Sequence, residues 1–286
     1  MKVYKEEIEI LKLNGKDVID FLQRVSTNDF KNFYVNSILR TVLTTEKGRI
    51  VDFITVLHYH SKFVIITSAG RERIVSDFLY KYIVTEDIEI DFDKLNKHTF
   101  IPEFDHDYEF LSGCNKVEEN YLYFDDYAFK KLILLSKNED SDFKKALLEN
   151  CEFIHYNEFK EISINKGFLF ESNELNDEIN PLECGLREYI SFTKGCYIGQ
   201  EVISRLDAQG KIPKLMVKII SDFEMNSGDK IYFQDSGLET ECGFLTSTGK
   251  RDNSFIALGF IKGINFNVNY KYYINKNLNN TILINK

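Results

Sequence analysis

The chain has 286 residues, of which 43% are hydrophobic and 28% are charged, and its formal net charge is −9. The length exceeds that of most single domains and the composition is that of a globular protein, so two or three domains are expected. The negative charge argues against a broad basic face, and direct binding of nucleic acid is therefore not expected.

The N-terminus and the cysteines bear on the cellular compartment. The opening residues M-K-V-Y-K-E-E-I lack the apolar region of a signal peptide, and no run approaches the ~18 apolar residues of a membrane span. The cysteines are odd in number and form no C-x-x-C pair, which disfavours a disulfide framework or a self-contained zinc site. They stand at positions 114, 151, 184, 196 and 242. The sequence predicts a cytoplasmic protein with reduced thiols, no membrane contact and no metal site.

Hydrophobic periodicity predicts alternating strands and helices in the first hundred residues. Residues 8–13 alternate as a strand, and the helix that Gly15 opens places Val18, Leu22 and Val25 on one face. The following predicted elements are strands at 38–43, 50–58, 63–67 and 86–92, a turn over 44–49 centred on Gly48, and a helix after Gly70 with Ile74, Val75, Phe78, Leu79 and Tyr82 as its apolar stripe.

A weaker version of this order recurs between residues 121 and 155. Strands are predicted at 121–125, 130–136 and 151–155, with a helix carrying Phe143, Ala146 and Leu147. The repetition suggests two related α+β layers, and the ordinary recurrence of such elements explains it equally well. The acidic segment 171–183 is predicted as a loop.

The sequence pattern changes after Pro213, where short predicted strands are separated by Gly, Asn, Asp and Ser. Such regular short strands predict a small C-terminal β-barrel. The predicted strands are 214–220, 230–234, 242–246, 255–262, 268–274 and 281–284.

The segment 191–205 reads S-F-T-K-G-C-Y-I-G-Q-E-V-I-S-R and concentrates unusual chemistry. Its two glycines around one thiol suggest a backbone shaped for close approach. A helix predicted over 197–206 would place Cys196 at its positive end beside Lys194, and both effects make a thiol more reactive. The alternative is that the cysteine is a small buried hydrophobe.

Within that predicted helix, Cys196, Gln200 and Ser204 would share one face, while Glu201 and Arg205 have the spacing of an ion pair. No His or Asp stands nearby to complete a protease-like triad. A distant partner stays open at His58, His60 or His155. The first two would lie on one strand face, as in metal sites and also in simple surface pairs.

The run K-G-C-Y-I-G-Q-E (194–201) resembles the signature K-G-C-[FY]-x-G-Q-E of the YgfZ-type folate-binding proteins, relatives of the glycine-cleavage T-protein, an aminomethyltransferase. The resemblance extends along most of the chain. It includes F-L-Q-R-V-S-T-N-D (21–29), T-T-E-K-G-R-I-V-D-F (44–53), I-S-I-N-K-G-F (162–168), P-L-E (181–183), G-F-L-T-S (243–247) and A-L-G-F-I (257–261).

The resemblance implies a GcvT/YgfZ-like ring of class α+β, made of two α+β layers and a small C-terminal β-barrel around a central channel. The implied domains are 1–95, which is joined by the return segment 157–212, then 96–156, and the barrel 213–286. Tetrahydrofolate or a derivative would bind in the channel, with the signature lining or facing it, and the protein would be a monomer.

The implied function is support of the assembly or repair of Fe–S enzymes, including radical enzymes that modify tRNA, with Fe–S client or assembly proteins as partners. Whether a substrate is turned over stays open. The first alternative is an aminomethyltransferase-like, folate-dependent one-carbon transfer enzyme. The second is an interaction module in which the signature only shapes a surface.

The resemblance also implies site residues. Phe168 stands where the family has proline, and the chain has no tryptophan to stack on a pterin, so Phe159 is predicted to supply the flat face. The predicted catalytic residues are Cys196 and Lys194. The predicted folate-binding residues are Asn28, Asp29, Lys47, Arg49, Phe159, Tyr197, Gln200, Glu201 and Arg205.

Overall fold

A computed structural model of the chain describes residues 1–60, 62–112, 121–137, 142–149, 151–169, 173–235, 238–267, 270–277 and 281–285. The strands between residues 2 and 154 form one sheet in the order β2-β3-β4-β1-β5-β7-β6, with β8 paired to β1. Its strands are β1 (Lys2–Asn14), β2 (Ile38–Thr44), β3 (Ile50–Tyr59), β4 (Lys62–Ile66), β5 (Glu89–Ile101), β6 (Tyr121–Asp125), β7 (Lys131–Ser136) and β8 (Glu152–Ile154).

The long strand β1 organises this sheet. It runs antiparallel to β5 along its whole length, from Lys2 opposite Ile101 to Asn14 opposite Glu89. Its other edge is divided, since one end pairs with β4 and the other end pairs in parallel with β8. The strands β2 and β6 are left at the two ends of the sheet order.

Helices cover the sheet where their apolar faces require it. They are α1 (Val18–Val25), α2 (Glu72–Tyr82), α3 (Asp105–Ser112), α4 (Asp142–Leu148), α5 (Tyr156–Lys166) and α6 (Gln200–Gln209). Helix α1 buries Phe21 and Leu22 fully in a cluster that also includes Ile54 of β3 and Leu79 of α2. Each such side chain contributes about 1.5–3 kcal/mol when it leaves water, so this cluster holds the first helices on the sheet.

The C-terminal strands close into a barrel in the order β10-β11-β12-β9-β14-β13, which ends where β13 pairs with β10. They are β9 (Lys214–Ser221), β10 (Lys230–Asp235), β11 (Leu238–Arg251), β12 (Ser254–Lys262), β13 (Tyr272–Ile274) and β14 (Thr281–Asn285). Closure removes free strand edges, and Ile219, Ile231 and Ala257 fill the interior. The predicted α+β class and C-terminal β-barrel are confirmed.

The barrel and the sheet share an apolar cluster. Phe260 of the barrel packs in it with Ile50 and Phe53 of β3 and with Leu175 and Leu186 of the connecting chain. A second contact places Ile164 of α5 against the barrel strands. The sheet and the barrel are therefore joined through packed side chains as well as through the chain itself.

One local prediction was wrong, and two helices were not predicted. The helix predicted over 197–206 is α6, which begins at Gln200 because Gly199 adopts a left-handed backbone with φ +83°. Cys196 consequently lies in the preceding loop and shares no helical face with Gln200. No helix was predicted at α5 or at α3, although the structure has both.

Other predictions meet limits of the described region. The predicted domain boundary after residue 95 lies inside β5, and the domain division stays a prediction. Cys114, residues 171–172 of the predicted loop and residues 268–269 of a predicted strand lie outside the described residues, as does the side chain of Phe143. Among the helices that are described, none is long and apolar enough to cross a membrane.

Candidate functional site

A cleft lies between the sheet and the chain segment 156–175. Its empty volume, including solvent at the mouth, is about 880 Å³. The aromatic residues that line it are Phe53, Tyr123, Tyr127, Tyr156, Phe159 and Phe168. The charged residues that line it are Glu6, Arg40, Lys97, Asp125 and Lys131. An aromatic wall with a few fixed charges is the usual make-up of a small-molecule site.

Asp125 is the centre of the charged cluster in the cleft. Arg40 of β2 donates Nε to Asp125 Oδ1 at 3.0 Å and Nη2 to its other oxygen. Lys131 at the start of β7 lies 3.2 Å from the same carboxylate. Because Asp125 ends β6, this bidentate ion pair joins the two end strands of the sheet order, β2 and β6, through side chains.

Burial and charge act against each other in this cluster. Burial alone would raise the pKa of the Asp125 carboxyl, but the charges of Arg40 and Lys131 outweigh it and hold that pKa below its usual value. Burial lowers the pKa of Lys131 to about 8, although Asp125 opposes the shift. We take the cluster as an ionised carboxylate between two cations, because Lys131 also donates to the carbonyls of Tyr127 and Phe129.

The remaining charged pair of the cleft is also neutralised internally. Lys97 donates to Glu6 at 2.8 Å. The described lining thus holds three cations and two carboxylates, and each carboxylate has a cationic partner. This leaves one positive charge in excess, in a chain whose net charge is −9. The cleft is therefore suited to an anionic group.

The aromatic wall includes one residue that was predicted to bind folate. Phe159 is buried, and one ring face stacks on Tyr4 with centroids 4.3 Å apart. The Arg40 guanidinium lies over Phe53 at 5.2 Å and over Tyr127 at 4.9 Å. The buried hydroxyl of Thr99, also in the lining, has no hydrogen-bond partner within the described part of the chain. A ligand with polar edges fits such an orphaned hydroxyl.

The signature loop, residues 191–199, lies outside the cleft lining and is anchored to the turn 26–29. The Nζ of Lys194 donates to the carbonyls of Ser26 at 2.7 Å and Asn28 at 2.5 Å. Burial lowers the pKa of Lys194 to about 8, and the nearby Asp29 opposes this. The ammonium of Lys194 thus ties two motifs of the family resemblance together.

A second anchor joins the signature loop to the turn at Gly48. Both Gly48 and Gly199 have positive φ, and a Cβ on Gly199 would lie 2.6 Å from the Thr45 carbonyl and 3.1 Å from the Gly48 Cα. Thr44 Oγ1 donates to the Ile198 carbonyl at 2.6 Å. Gly199 is therefore needed because two backbones touch here, and Gly48 is needed because its positive φ would strain any other residue.

The other predicted site residues surround this anchor. Cys196, Lys47, Glu201 and Arg205 are exposed, and the last two form no ion pair in the described structure. Arg49 instead donates to the Glu178 carbonyl and reaches Glu183 at 3.4 Å.

Tyr197 is buried, and Gln200 is partly buried at the first position of α6. Asn28 and Asp29 form the turn, where backbone donation from Lys31 is the main cause that lowers the pKa of Asp29. Of the predicted set, only Phe159 lines the cleft. The assignment of these residues to a folate site stays a prediction.

Sequence reasoning missed the charged cluster of the cleft. Arg40 and Asp125 are 85 positions apart, and no local spacing pairs them. A weak signal existed, since a carboxylate ends one strand of this hairpin and a lysine begins the next, but Asp126 and Lys130 stand beside them and obscure it. His58 packs on Phe63 and His60 is exposed. The described residues contain no group of three His, Cys, Asp or Glu that could hold a metal ion.

Comparison with known proteins extends these observations. No family model matches the sequence. A chloroplastic protein of Arabidopsis thaliana that carries a transferase name is 23% identical over 276 residues, 88% of this chain and 63% of that protein. The tRNA-modifying protein YgfZ of Hamiltonella defensa is 26% identical over 219 residues, 70% of this chain and 64% of that protein.

The crystal structure of glycine cleavage system aminomethyltransferase T from Bartonella henselae matches with a TM-score of 0.81 and 13% identity, over 99% of this chain and 84% of that one. The chain is similar in sequence to these two proteins and has the fold of aminomethyltransferase T. It spans less than two thirds of the length of the two sequence relatives. The YgfZ/GcvT-like resemblance that the motifs indicated is therefore confirmed.

Proposed function

We propose that this YgfZ/GcvT-like protein binds tetrahydrofolate or a derivative in the cleft. The observation that carries the proposal is an aromatic wall beside an excess positive charge, in a space of about 880 Å³. A folate has a flat pterin that needs ring contacts, polar ring edges that need hydrogen-bond partners, and a glutamate tail that needs cations. The cleft offers each of these groups.

Particular residues fit particular parts of the ligand. Phe159 and Tyr127 offer ring contacts, while Arg40, Lys97 and Lys131 offer positive charge for carboxylates. Arg49 and Arg205, which were predicted to bind folate, do not line the cleft, so the three cleft cations are proposed for the glutamate tail. The bound cofactor would supply one-carbon chemistry, and the chain's own residues would bind it, orient it and exclude water.

Calorimetry with 5-formyltetrahydrofolate tests the site directly. We expect Lys97→Gln and Phe159→Leu each to weaken binding about tenfold, the effect of roughly 1.4 kcal/mol of lost contact. Lys47→Gln is the matched control, because this exposed lysine lies near the signature loop and outside the cleft. Equal losses in all three variants, or no binding by the parent chain, would refute the cleft as the folate site.

We further propose that the protein supports the assembly or repair of Fe–S enzymes, including tRNA-modifying radical enzymes, through the exposed Cys196 thiol. The supporting facts are the exposure of that thiol in an anchored loop and the similarity to a relative named as tRNA-modifying. A single thiol supplies one ligand, so any cluster would be shared with a client or assembly protein. Cys196 would therefore act together with a client or assembly protein.

A complementation experiment tests the thiol. A deletion strain carrying the parent gene or Cys196→Ala is compared for the activity of Fe–S enzymes and for tRNA methylthiolation. We expect the variant to fold normally, because Cys196 is exposed, and to restore neither activity. Full rescue by Cys196→Ala would eliminate the reactive-thiol proposal. The remaining alternative would then be an interaction module in which the signature only shapes a surface.

An aminomethyltransferase is the second candidate, favoured by the fold match to aminomethyltransferase T. Against it, both carboxylates that line the described cleft are paired with cations and are poorly placed to act as a general base. Release of ammonia with formation of methylene-tetrahydrofolate from an aminomethylated carrier protein would establish this activity. Absence of both products with a bound folate would favour the accessory role.

A further inference from the structure

Three alternate residues of β5 point to the cleft side of the sheet. Lys97 lies opposite Glu6 of β1, and Thr99 lies opposite Tyr4. A strand rises about 3.4 Å per residue and alternates its faces, so Lys97 and Thr99 point to the same side about 7 Å apart. Both residues line the cleft. Ile101 follows on the same side, and Thr99 therefore occupies the middle row.

The hydroxyl of Thr99 is a hydrogen-bonding group without a partner. Thr99 is 1% exposed, and its Oγ1 meets no donor or acceptor in the part of the chain that the structure describes. Strand β5 is paired on both sides here, with Tyr4 and Ile133 directly opposite Thr99, so the nearby backbone groups are engaged in the sheet. Side chains in strands commonly adopt two χ1 rotamers, so the hydroxyl can turn toward a ligand in the cleft.

An aromatic ring lies beside Thr99. Phe159, which lines the cleft, packs with Ile101 and stacks on Tyr4 with ring centroids 4.3 Å apart. Tyr4 is the neighbour of Thr99 across the sheet, and Ile101 is its neighbour along the same face of β5. Both contacts of Phe159 therefore hold its ring next to the unpaired hydroxyl.

Cations lie one row away from Thr99 in both directions. Lys97 precedes it on β5, and the Lys97 ammonium donates to Glu6 at 2.8 Å. On β7, Ile133 lies opposite Thr99, and Lys131 stands two residues before Ile133, in the next row. Both lysines line the cleft. The middle row thus offers an uncharged hydrogen-bonding group between two cations.

We propose that Thr99 is a specificity-determining residue that donates a hydrogen bond to an uncharged carbonyl of the ligand. In a ligand that fits these rows, the carbonyl stands between an aromatic ring, which contacts Phe159, and carboxylates, which reach the cations. An N-aroyl amino acid has this order of groups, and a folate carries it as its aminobenzoyl-glutamate part. Folate as the source of this group rests on the proposed function, whereas the hydrogen bond to Thr99 does not.

The stability of the ligand-free chain tests the unpaired hydroxyl. Thr99→Val keeps the side-chain shape and removes a buried group without a partner, so we expect it to raise the melting temperature by about 2–4 °C. Thr27→Val is the matched control, because the buried Thr27 hydroxyl donates to the Tyr189 carbonyl at 2.9 Å and accepts the Val42 N–H at 3.0 Å. It should lower the melting temperature. An equal decrease in both variants would show that the Thr99 hydroxyl is already paired and would overturn the proposal.

Calorimetry with p-aminobenzoylglutamate and with 5-formyltetrahydrofolate tests the recognition. We expect Thr99→Val to weaken the binding of both ligands about tenfold, because the ligand carbonyl then enters the cleft without a donor. Thr99→Ser keeps the hydroxyl and should bind both ligands within about twofold of the parent chain. A merely structural residue would lose stability and binding together, whereas Thr99→Val should gain stability and lose binding. Equal losses of binding in the two variants would contradict a role of the hydroxyl.

The two ligands separate the role of Thr99 from the proposed folate site. If 5-formyltetrahydrofolate binding depends on Lys97 and Phe159 but not on Thr99, the role of Thr99 is refuted and the folate site stands. If p-aminobenzoylglutamate alone binds, and Thr99→Val weakens it, the folate assignment is refuted and the role of Thr99 is supported. If neither ligand binds the parent chain, both proposals are refuted.

Discussion

The ammonium of Lys194 is held by two backbone carbonyls and not by an acid. Hydrogen bonds to charged groups contribute about 1.5–3 kcal/mol each in proteins, against the cost of burying the charge. The alkyl stem lies beside the Tyr197 ring, with Nζ 5.2 Å from its centroid. Lys194 is therefore a structural anchor, while its predicted catalytic role stays a prediction, and the anchor can be tested alone.

We expect Lys194→Met to lower the free energy of unfolding by about 1–3 kcal/mol, because it keeps the stem and removes both hydrogen bonds. Urea denaturation measures the change. The control is Lys47→Met, whose exposed side chain should alter stability by less than about 0.5 kcal/mol. A Lys194→Met variant as stable as the parent would show that the buried charge costs as much as its bonds contribute.

The two buried lysines also predict a pH dependence of stability. The folded pKa of Lys194, like that of Lys131, is lowered from 10.5 to about 8, chiefly by burial. Between these pH values each of the two lysines binds more protons in the unfolded chain than in the folded one, so each makes the free energy of unfolding rise with pH. Tyrosines act oppositely at higher pH, since burial raises the pKa of Tyr197 to about 12.

The measurement is urea denaturation at a series of pH values from 7.5 to about 10, below the usual tyrosine pKa. The thiols of Cys151, Cys184 and Cys242, whose pKa values burial raises, lower stability with rising pH within the same window in both proteins. We therefore expect the slope of the free energy of unfolding against pH to be lower in Lys194→Met than in the parent chain, because the variant has lost one of the two titrating lysines. Parallel slopes for the two proteins would contradict the buried-charge assignment of Lys194.

At the scale of elements, the start of α6 depends on a contact that its own sequence does not reveal. The helical pattern of 197–206 is real, but Gly199 is left-handed because the turn at Gly48 touches it.

Hydrophobic periodicity predicted most strands and the barrel, because burial of one face imposes an alternating pattern on each strand separately. The Arg40–Asp125 pair was not predictable, because it depends on how the sheet brings its end strands together. Helix α5 was not predicted because its apolar face is weak and its core contacts are divided between the barrel and the sheet.

Gly199→Ala tests that contact against a matched glycine. Gly210 ends the same helix with φ +61° and has open space around its Cβ position, whereas a Cβ at Gly199 would meet the Thr45 carbonyl at 2.6 Å. We expect Gly210→Ala to cost about 1 kcal/mol from backbone strain alone. Gly199→Ala should cost about 2–4 kcal/mol, strain plus the displaced turn. Thermal unfolding measures both, and equal costs would show that the close approach relaxes freely.

For the whole molecule, the cluster around Phe260 makes the barrel and the sheet one packed body. Phe260 belongs to the barrel strand β12 but packs with Ile50 and Phe53 of the sheet, while the barrel interior has its own separate cluster. Loss of Phe260 should therefore weaken the junction and leave the barrel interior filled. Domains that share little buried surface unfold separately, whereas those that share a core unfold together.

We expect Phe260→Ala to lower the free energy of unfolding by about 3–5 kcal/mol, as buried phenylalanines do, and to divide the calorimetric transition into a sheet step and a barrel step. Phe233→Ala is the control, because Phe233 packs inside the barrel cluster. It should destabilise the barrel by a similar amount while leaving the sheet–barrel junction intact. If both variants give the same single transition as the parent, the sheet and the barrel are coupled through the connecting chain and α5, and the Phe260 cluster is not what unites them.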